Sequence, residues 1–95
     1  MTSDVVARHT LLDEPAAVSL LIYLYDAGTV VGDDLKNVVS NYTRMKSLAQ
    51  AFEQKGMISI KREKRPMIVF SFSLTEKGRK VAEHLIAAAD LVDPQ

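Results

Sequence analysis

The sequence predicts an α+β fold in which a small antiparallel hairpin packs on a helical core. The main evidence is a change in the spacing of the apolar residues along the chain. They recur with a helical period up to residue 55, follow a period of two over residues 67–74, and return to a helical period after residue 75. A segment of period two between helical segments predicts strands with one covered face. The predicted order is therefore helices, hairpin and a final helix.

Composition places the chain among ordinary globular proteins. It has 95 residues, of which 47% are hydrophobic and 25% are charged, which is typical of one domain spanning residues 1–95. The sequence has no run of 18 apolar residues, so no membrane span is expected, and no basic, apolar and small-residue pattern of a signal peptide. The absence of cysteine excludes disulfides and thiolate ligands. We expect a cytoplasmic protein.

Charge is distributed unevenly although the formal net charge is zero. Residues 1–34 carry one base and six acids, which gives a net charge of −5. Residues 35–70 carry eight bases and two acids (+6), and residues 71–95 carry three bases and four acids (−1). A strongly basic central segment favours contact with phosphates, because affinity for nucleic acid rests largely on phosphate neutralisation.

Residues 1–14 are predicted to form an N-terminal arm, either a short helix capped by Ser3 or Asp4 or a loose tail. Asp13, Glu14 and Pro15 predict the start of a helix over residues 15–27, because proline favours the first helical position and acids favour the positive end of the helix dipole. Gly28 ends this helix. Its main apolar stripe is Val18, Leu21, Ile22 and Tyr25, with Leu20 and Leu24 off the stripe.

The next elements are shorter. Residues 29–32 form an extended link, with a third edge strand as one alternative, and Asp33 is expected to cap a helix over residues 34–39 with Leu35, Val38 and Val39 inward. Residues 40–41 form a turn. A helix over residues 42–55 then buries one stripe and ends at Gly56. The members of that stripe are Met45, Leu48, Ala49 and Phe52.

Strands are predicted over residues 57–61 and 67–74, joined by a basic turn over residues 61–66. Thr75 caps a C-terminal helix over residues 75–92, so the core of the domain spans residues 15–74. The predicted buried set is Leu21, Ile22, Leu35, Met45, Leu48, Phe52, Ile58, Ile60, Ile68, Phe70 and Leu74.

Two segments carry a resemblance to a known family. The run from Leu48 to Ile58 (Leu-Ala-Gln-Ala-Phe-Glu-Gln-Lys-Gly-Met-Ile) resembles the end of a recognition helix that turns into a wing. The run from Leu74 to Arg79 (Leu-Thr-Glu-Lys-Gly-Arg) resembles the entry to the helix after the wing. Over residues 15–86 the chain looks like the winged helix-turn-helix transcription regulators of the small MarR-like or ArsR-like type, prokaryotic or archaeal. The resemblance implies a three-helix core, a β-hairpin wing and a C-terminal helix. It also implies homodimers that place the second helix of the motif in the major groove and the wing near the minor groove.

The candidate DNA-binding residues lie on the outer face of helix 42–55 and in the basic turn. No acid occurs between Leu35 and Phe52, and the outer face offers donors and acceptors suited to base edges and phosphates. Two alternatives involve no DNA. In one the helix face is simply solvated, and in the other the charges of the hairpin prevent its edge from pairing with other chains. Lys77, Arg79 and Lys80 are assigned to the charged surface of the C-terminal helix, where Arg79 and Lys80 lie four residues from Glu83 and Glu76. The candidates are Asn41, Tyr42, Thr43, Arg44, Lys46, Ser47, Gln50, Lys61, Arg62, Lys64 and Arg65.

The sequence offers no catalytic constellation. It has no Ser-His-acid set, glycine-rich phosphate loop or plausible carboxylate pair, and His9 and His84 stand far apart without ligand spacing. We therefore expect neither an enzyme nor a bound metal or cofactor.

The prediction is sequence-specific binding of double-stranded DNA by a homodimer that regulates transcription and pairs through helices 15–27 and 75–92. Both helices carry more apolar surface than a three-helix core covers. In the alternative, the protein is a monomer in which helix 75–92 packs on helix 15–27 and the N-terminal arm covers the remaining apolar surface. The alternative function is a winged-helix module that binds another protein in a transcription or replication assembly.

Overall fold

A computed structural model describes residues 10–39, 41–65 and 67–94, with the backbone alone described at residues 10, 36, 37, 65 and 67. The predictions for a helix capped by Ser3 or Asp4 and for Ser40 in a turn lie outside the described residues. Across the described ranges, no helix has the length and apolar character needed to cross a membrane.

Along the described residues, helices flank a small sheet, as the α+β prediction requires. The strands form an antiparallel sheet in the order β1-β3-β2. The elements are α1 (Thr10–Asp13), α2 (Ala17–Ala27), β1 (Val30–Val31), a 3₁₀ helix (Gly32–Asn37), α3 (Tyr42–Gln54), β2 (Ile58–Arg65), β3 (Met67–Leu74) and α4 (Glu76–Val92).

The predicted helix start at Pro15 is wrong. Pro15 and Ala16 form a turn between α1 and α2, Ala16 has a φ of +68°, and α2 begins at Ala17. The chain bends here because Leu11 and Leu12 pack against the same hydrophobic core as α2, which a continuous straight helix does not allow. Gly28 ends α2 with a φ of +83°, in the region that favours glycine.

The buried face of α2 also differs from the prediction. Ala17, Leu20, Leu21 and Leu24 are buried, so the core side is rotated away from the predicted stripe. Ile22 is only half-buried, contrary to its place in the predicted core. A helix that is apolar around most of its circumference has no single dominant stripe, and its packing partners decide which side is covered.

β1 confirms the third edge strand, since Val30 pairs with Phe72 and Val31 pairs with Ser71. The chain leaves the sheet directly into the 3₁₀ helix at Gly32, so the helix predicted over residues 34–39 starts earlier and is wound more tightly. Asp33 lies in its first turn, and Val31 takes the cap position predicted for Asp33. Leu35 and Val39 are buried, as predicted.

Helix α3 follows the prediction closely. Met45, Leu48, Ala49 and Phe52 are all buried, with exposed fractions of 7% or less. The helix ends at Gln54, and Gly56 has the positive φ of +75° that a chain leaving a helix commonly adopts.

The hairpin is longer than the sequence predicted. β2 continues to Arg65 in register with β3, from Ile58 opposite Leu74 to Arg65 opposite Met67, so residues 61–65 form strand and not a turn. Ile68 is 48% exposed and therefore lies outside the core, contrary to the prediction. It pairs with Lys64 near the end of the hairpin, where the helices no longer cover the sheet.

Hydrogen bonds from residues 74–78 (Leu-Thr-Glu-Lys-Gly) hold the start of α4 against the corner between α3 and β2. The Thr75 hydroxyl accepts from the Gly78 N–H at 3.1 Å, which confirms the predicted cap, and donates to the Gly56 carbonyl at 2.6 Å. Lys77 Nζ donates to the Lys55 carbonyl at 2.7 Å. A Cβ atom added to Gly78 would overlap the Met57 carbonyl oxygen, so only glycine fits at this contact.

Helices α2 and α4 are joined through Tyr25. Its hydroxyl donates to Glu83 Oε2 at 2.9 Å, and the Arg79 guanidinium lies 5.0 Å from the centre of its ring. The hydrogen bond to the Glu83 carboxylate raises the pKa of Tyr25 above its ordinary value. Arg79 therefore contacts α2 across the helix pair. Glu76 and Lys80 form the predicted i,i+4 pair at 3.9 Å.

Candidate nucleic-acid interface

The outward face of α3 carries the candidate residues of the predicted recognition helix. Tyr42, Thr43, Arg44, Ser47 and Gln50 are exposed. Residues separated by three or four positions share one side of a helix, so residues 43, 47 and 50 form a single outward stripe opposite the buried one.

Asn41 begins α3 as its cap. Its side-chain oxygen accepts from the Arg44 backbone N–H at 3.0 Å, which satisfies one of the free donors at the start of the helix. The structure thus assigns this candidate a definite role in positioning the first turn of α3.

The flank of α3 that faces the hairpin forms a groove with it. The groove encloses about 240 Å³ and is lined by Lys46, Gln50, Glu53, Ile60, Arg62, Phe70 and Phe72. Lys46 Nζ lies 4.9 Å from the centre of the Phe70 ring, within the range of a cation–π contact. The fold therefore brings Lys46 and Gln50 of the predicted recognition helix together with Arg62 of the predicted wing.

The opposite flank of α3 faces the N-terminal arm. Arg44 and Ser47 line a second cavity, of about 210 Å³, together with Glu14 and Pro15. Arg44 consequently borders an acid on one side and the outward stripe of α3 on the other.

The basic residues of the hairpin are divided between its two faces. Successive side chains of a strand point to opposite sides, and opposed residues in a ladder share a side. Arg62 opposes Phe70 and Lys64 opposes Ile68, which places both on the face that meets α3. Lys61 opposes Ser71 on the other face, where the Ser71 hydroxyl lies 3.5 Å from Glu63 Oε1. The backbone of Arg65 pairs with Met67, and its side chain lies outside the described residues.

Edge protection remains a valid explanation for part of this charge. β2 is an edge strand of the described sheet, and charged residues on an edge hinder pairing with other chains. Edge protection applies to Lys61, which lies on the face of the hairpin away from α3. It does not require Arg62 to line a groove with Lys46 and Gln50.

Sequence reasoning did not place Phe70 or Glu53 in the groove. Phe70 was assigned to the core by its position in the alternating strand, whereas the structure leaves it half-buried beneath Lys46. Glu53 follows directly after the acid-free run, and its position in the groove depends on the way α3 docks against the hairpin. Among the described residues, no group of three or more His, Cys, Asp or Glu side chains is arranged to hold a metal ion.

No protein-family model matches the sequence, and no curated protein matches it. Solved structures do match. A transcriptional regulator homologue from Pyrococcus horikoshii OT3 aligns with a TM-score of 0.76 and 13% sequence identity, covering 94% of this chain and 90% of that one. The protein ytfH from Salmonella typhimurium, proposed as a transcriptional regulator, aligns with a TM-score of 0.78 and 23% identity, covering 97% of this chain and 80% of that one.

A third similar structure is that of NadR in complex with 4-hydroxyphenylacetate. It aligns with a TM-score of 0.66 and 18% identity, covering 94% of this chain and 72% of that one. At these identities the likeness establishes the fold, including the helix, hairpin and helix order that the sequence predicted. The chain has the winged-helix fold that it shares with these transcriptional regulators.

Proposed function

We propose that this protein binds duplex DNA sequence-specifically as a homodimer and regulates transcription. In this proposal α3 enters the major groove, and the β2–β3 hairpin lies on the backbone or in the minor groove. The observation that carries the proposal is the groove between α3 and the hairpin, where Lys46, Gln50 and Arg62 line one surface. The regulatory role is supported by the fold shared with transcriptional regulators.

The residues of this surface divide by the chemistry that each can contribute. Ser47 and Gln50 lie on the outward stripe of α3, and a glutamine side chain can bond both N6 and N7 of adenine in the major groove. Arg62 and Lys64 are cations on the hairpin, suited to phosphates, which position a protein without reading sequence. Lys46 lies between the two groups, whereas Arg44 lies on the opposite flank of α3, and each can contact a phosphate or a base edge.

The charge distribution supports the same surface. A net charge of zero gives no general attraction to DNA, so binding depends on a local excess of bases. That excess falls on residues 35–70, which carry +6 and include both α3 and the hairpin.

The division of the hairpin cations provides a matched test of the proposal. Replacing Arg62 and Lys64 by alanine should weaken binding to all duplex sequences alike and reduce the dependence of log K on log salt by about one unit per lost phosphate contact. Lys61→Ala removes one charge from the other face of the same strand and should leave both quantities nearly unchanged. Fluorescence anisotropy with labelled duplexes over a salt series measures these effects.

Substitutions on α3 should behave differently. Arg44→Ala or Lys46→Ala should reduce affinity by an amount that depends on the duplex sequence. Equal affinity for duplex DNA in the wild type and in a variant neutralised at Arg44, Lys46, Arg62 and Lys64 would contradict the proposal. No binding even at low salt, together with stable co-purification of another protein, would instead favour a protein-binding module.

The homodimer is proposed from the surface that α2 and α4 leave uncovered. A cavity of about 700 Å³ is lined by residues of α2, with Ile22 and Tyr23 on one side, and by Ile86 of α4. At the end of α4, Val92 is 76% exposed. A second copy paired across a twofold axis would cover this surface and place two copies of α3 about 34 Å apart, one turn of DNA.

The described part of the N-terminal arm lies away from the surface lined by Ile22 and Ile86. Leu11 and Leu12 line a separate cavity with Phe52, Met57 and Val81, near the start of α4. This segment therefore packs on the side of α3 and the first turns of α4, and not over Ile22 and Ile86.

Two alanines of α4 provide a matched test of the dimer. Ala87 and Ala89 are both exposed, and two residues correspond to about 200° around a helix. Ala89→Glu places a carboxylate in the proposed interface and should raise the dimer dissociation constant at least about tenfold, because an unpaired charge resists burial. Ala87→Glu adds the same charge on the other side and should leave dimerisation intact. Leu85→Glu is less suitable, because Leu85 packs against the core.

Sedimentation equilibrium, with circular dichroism as a check on folding, measures the effect. The wild type should be a dimer at micromolar concentration. A monomer of 10.5 kDa at hundreds of micromolar would refute the homodimer.

A further inference from the structure

We propose that Phe70 is a positioning residue that fixes the side chain of Lys46, and so couples the predicted recognition helix to the wing. The proposal rests on the DNA-binding function proposed above. In this proposal the wing has a second role besides phosphate contact. It holds the Lys46 ammonium group in a defined position in the free protein.

The geometry that carries this inference lies at the base of the groove. Lys46 Nζ is 4.9 Å from the centre of the Phe70 ring, although the two residues belong to different elements. Both residues are half-buried. Arg62 opposes Phe70 directly in the ladder, so a second cation lies beside the same ring on the same face of the hairpin.

The physical consequence concerns conformational freedom. A lysine side chain has a flexible four-carbon stem, and a binding partner that must immobilise it loses part of its affinity. The negative face of an aromatic ring attracts the ammonium without neutralising its charge. Lys46 can therefore be ordered in the free protein and still be available to a phosphate or a base edge.

The first measurement is made on the free wild-type protein and does not depend on DNA binding. A methylene group over an aromatic ring is shielded, so the NMR signals of the Lys46 ε-protons should lie upfield of those of Lys61, which is exposed on the other face of the hairpin. The upfield shift should vanish in Phe70→Leu and persist in Phe70→Tyr. Lys46 signals that match those of Lys61 in the wild type would overturn the positioning role, whatever the protein binds.

The second measurement is a double-mutant cycle on duplex DNA affinity with Phe70→Leu, Lys46→Met and the combined variant. Phe70→Leu should reduce affinity about two- to fivefold, the equivalent of about 0.5–1 kcal/mol for a partly exposed cation–π contact. It should leave the salt dependence unchanged, because Lys46 keeps its charge, whereas Lys46→Met should lower that dependence by about one unit. The loss caused by Phe70→Leu should disappear in the Lys46→Met background, and Phe70→Tyr should bind as the wild type does.

Additive losses in this cycle would overturn the coupling, since they would show that Phe70 acts only on the stability of the hairpin. Absence of DNA binding by the wild type would refute the proposed function alone. The NMR measurement would then still decide whether Phe70 orders Lys46.

Discussion

Phe52→Ala is expected to reduce the free energy of unfolding by about 3–5 kcal/mol, the usual effect of removing a fully buried aromatic ring. Phe52 is completely buried on the inner face of α3, and its carbonyl accepts from the Met57 N–H at 3.0 Å where the chain turns into the hairpin. Small domains are stable by only about 5–15 kcal/mol in total, so the substitution removes a large part of the margin. Urea denaturation and thermal melting both measure the effect, and the melting temperature should fall by about 12–40 °C.

Ile68→Ala is the matched control for Phe52→Ala. Ile68 is also a large apolar residue assigned to the core by its sequence pattern, yet it is 48% exposed near the end of the hairpin. Its truncation should cost less than about 1 kcal/mol, since little surface leaves water there on folding. If Phe52→Ala proves unfolded, Phe52→Leu retains most of the volume and should show a smaller loss in the same direction. A loss below about 1 kcal/mol for Phe52→Ala would mean that α3 does not dock as described.

Gly78→Ala is expected to destabilise the protein by about 1–3 kcal/mol, in the range of overpacked cores. Helix propensity alone predicts the reverse, a gain of up to about 1 kcal/mol, because glycine is unfavourable within a helix. The structure indicates that the change in the free energy of unfolding is a loss. An added Cβ would overlap the Met57 carbonyl, which is held in place because it accepts from the Thr75 N–H at 3.0 Å. The start of α4 would have to move away from the corner between α3 and β2.

The control for Gly78→Ala is the opposite exchange at an exposed position of the same helix. Ala87→Gly should cost about 0.5–1 kcal/mol through backbone entropy, which shows that propensity acts normally in α4. If chemical denaturation finds Gly78→Ala as stable as the wild type or more so, the close approach of α4 to Met57 is not present in solution.

Helix α3 shows how far sequence reasoning reaches when one pattern dominates. Its four buried residues recur at helical spacing between polar residues, so its type, approximate ends and buried face were all predicted. The outward stripe with Ser47 and Gln50 followed directly, because the positions opposite a buried stripe face solvent.

Helix α2 shows where the same reasoning fails. Its apolar residues lie on nearly every side, and several stripes fit a period of 3.6 equally well. Leu20 and Leu24 were assigned off the main stripe yet are fully buried, whereas Ile22 lines an open cavity. The choice depends on contacts with residues such as those of α4, which lie about sixty positions further along the chain.

One strand of the hairpin was predictable from its own residues, and the other was not. Alternation within 67–74 predicts β3, but residues 61–65 are all charged and carry no apolar pattern, so the sequence predicts a turn where the structure has a strand. Only the ladder with β3 reveals that strand, and only the ladder places Arg62 on the face of Lys46 and Lys61 on the other. The types and order of α2, α3, β3 and α4 were determined by the sequence itself, because they follow from interactions within a few residues. Faces, strand lengths and the groove between α3 and the hairpin were decided by the tertiary structure, because they depend on pairings between distant segments that local periodicity does not encode.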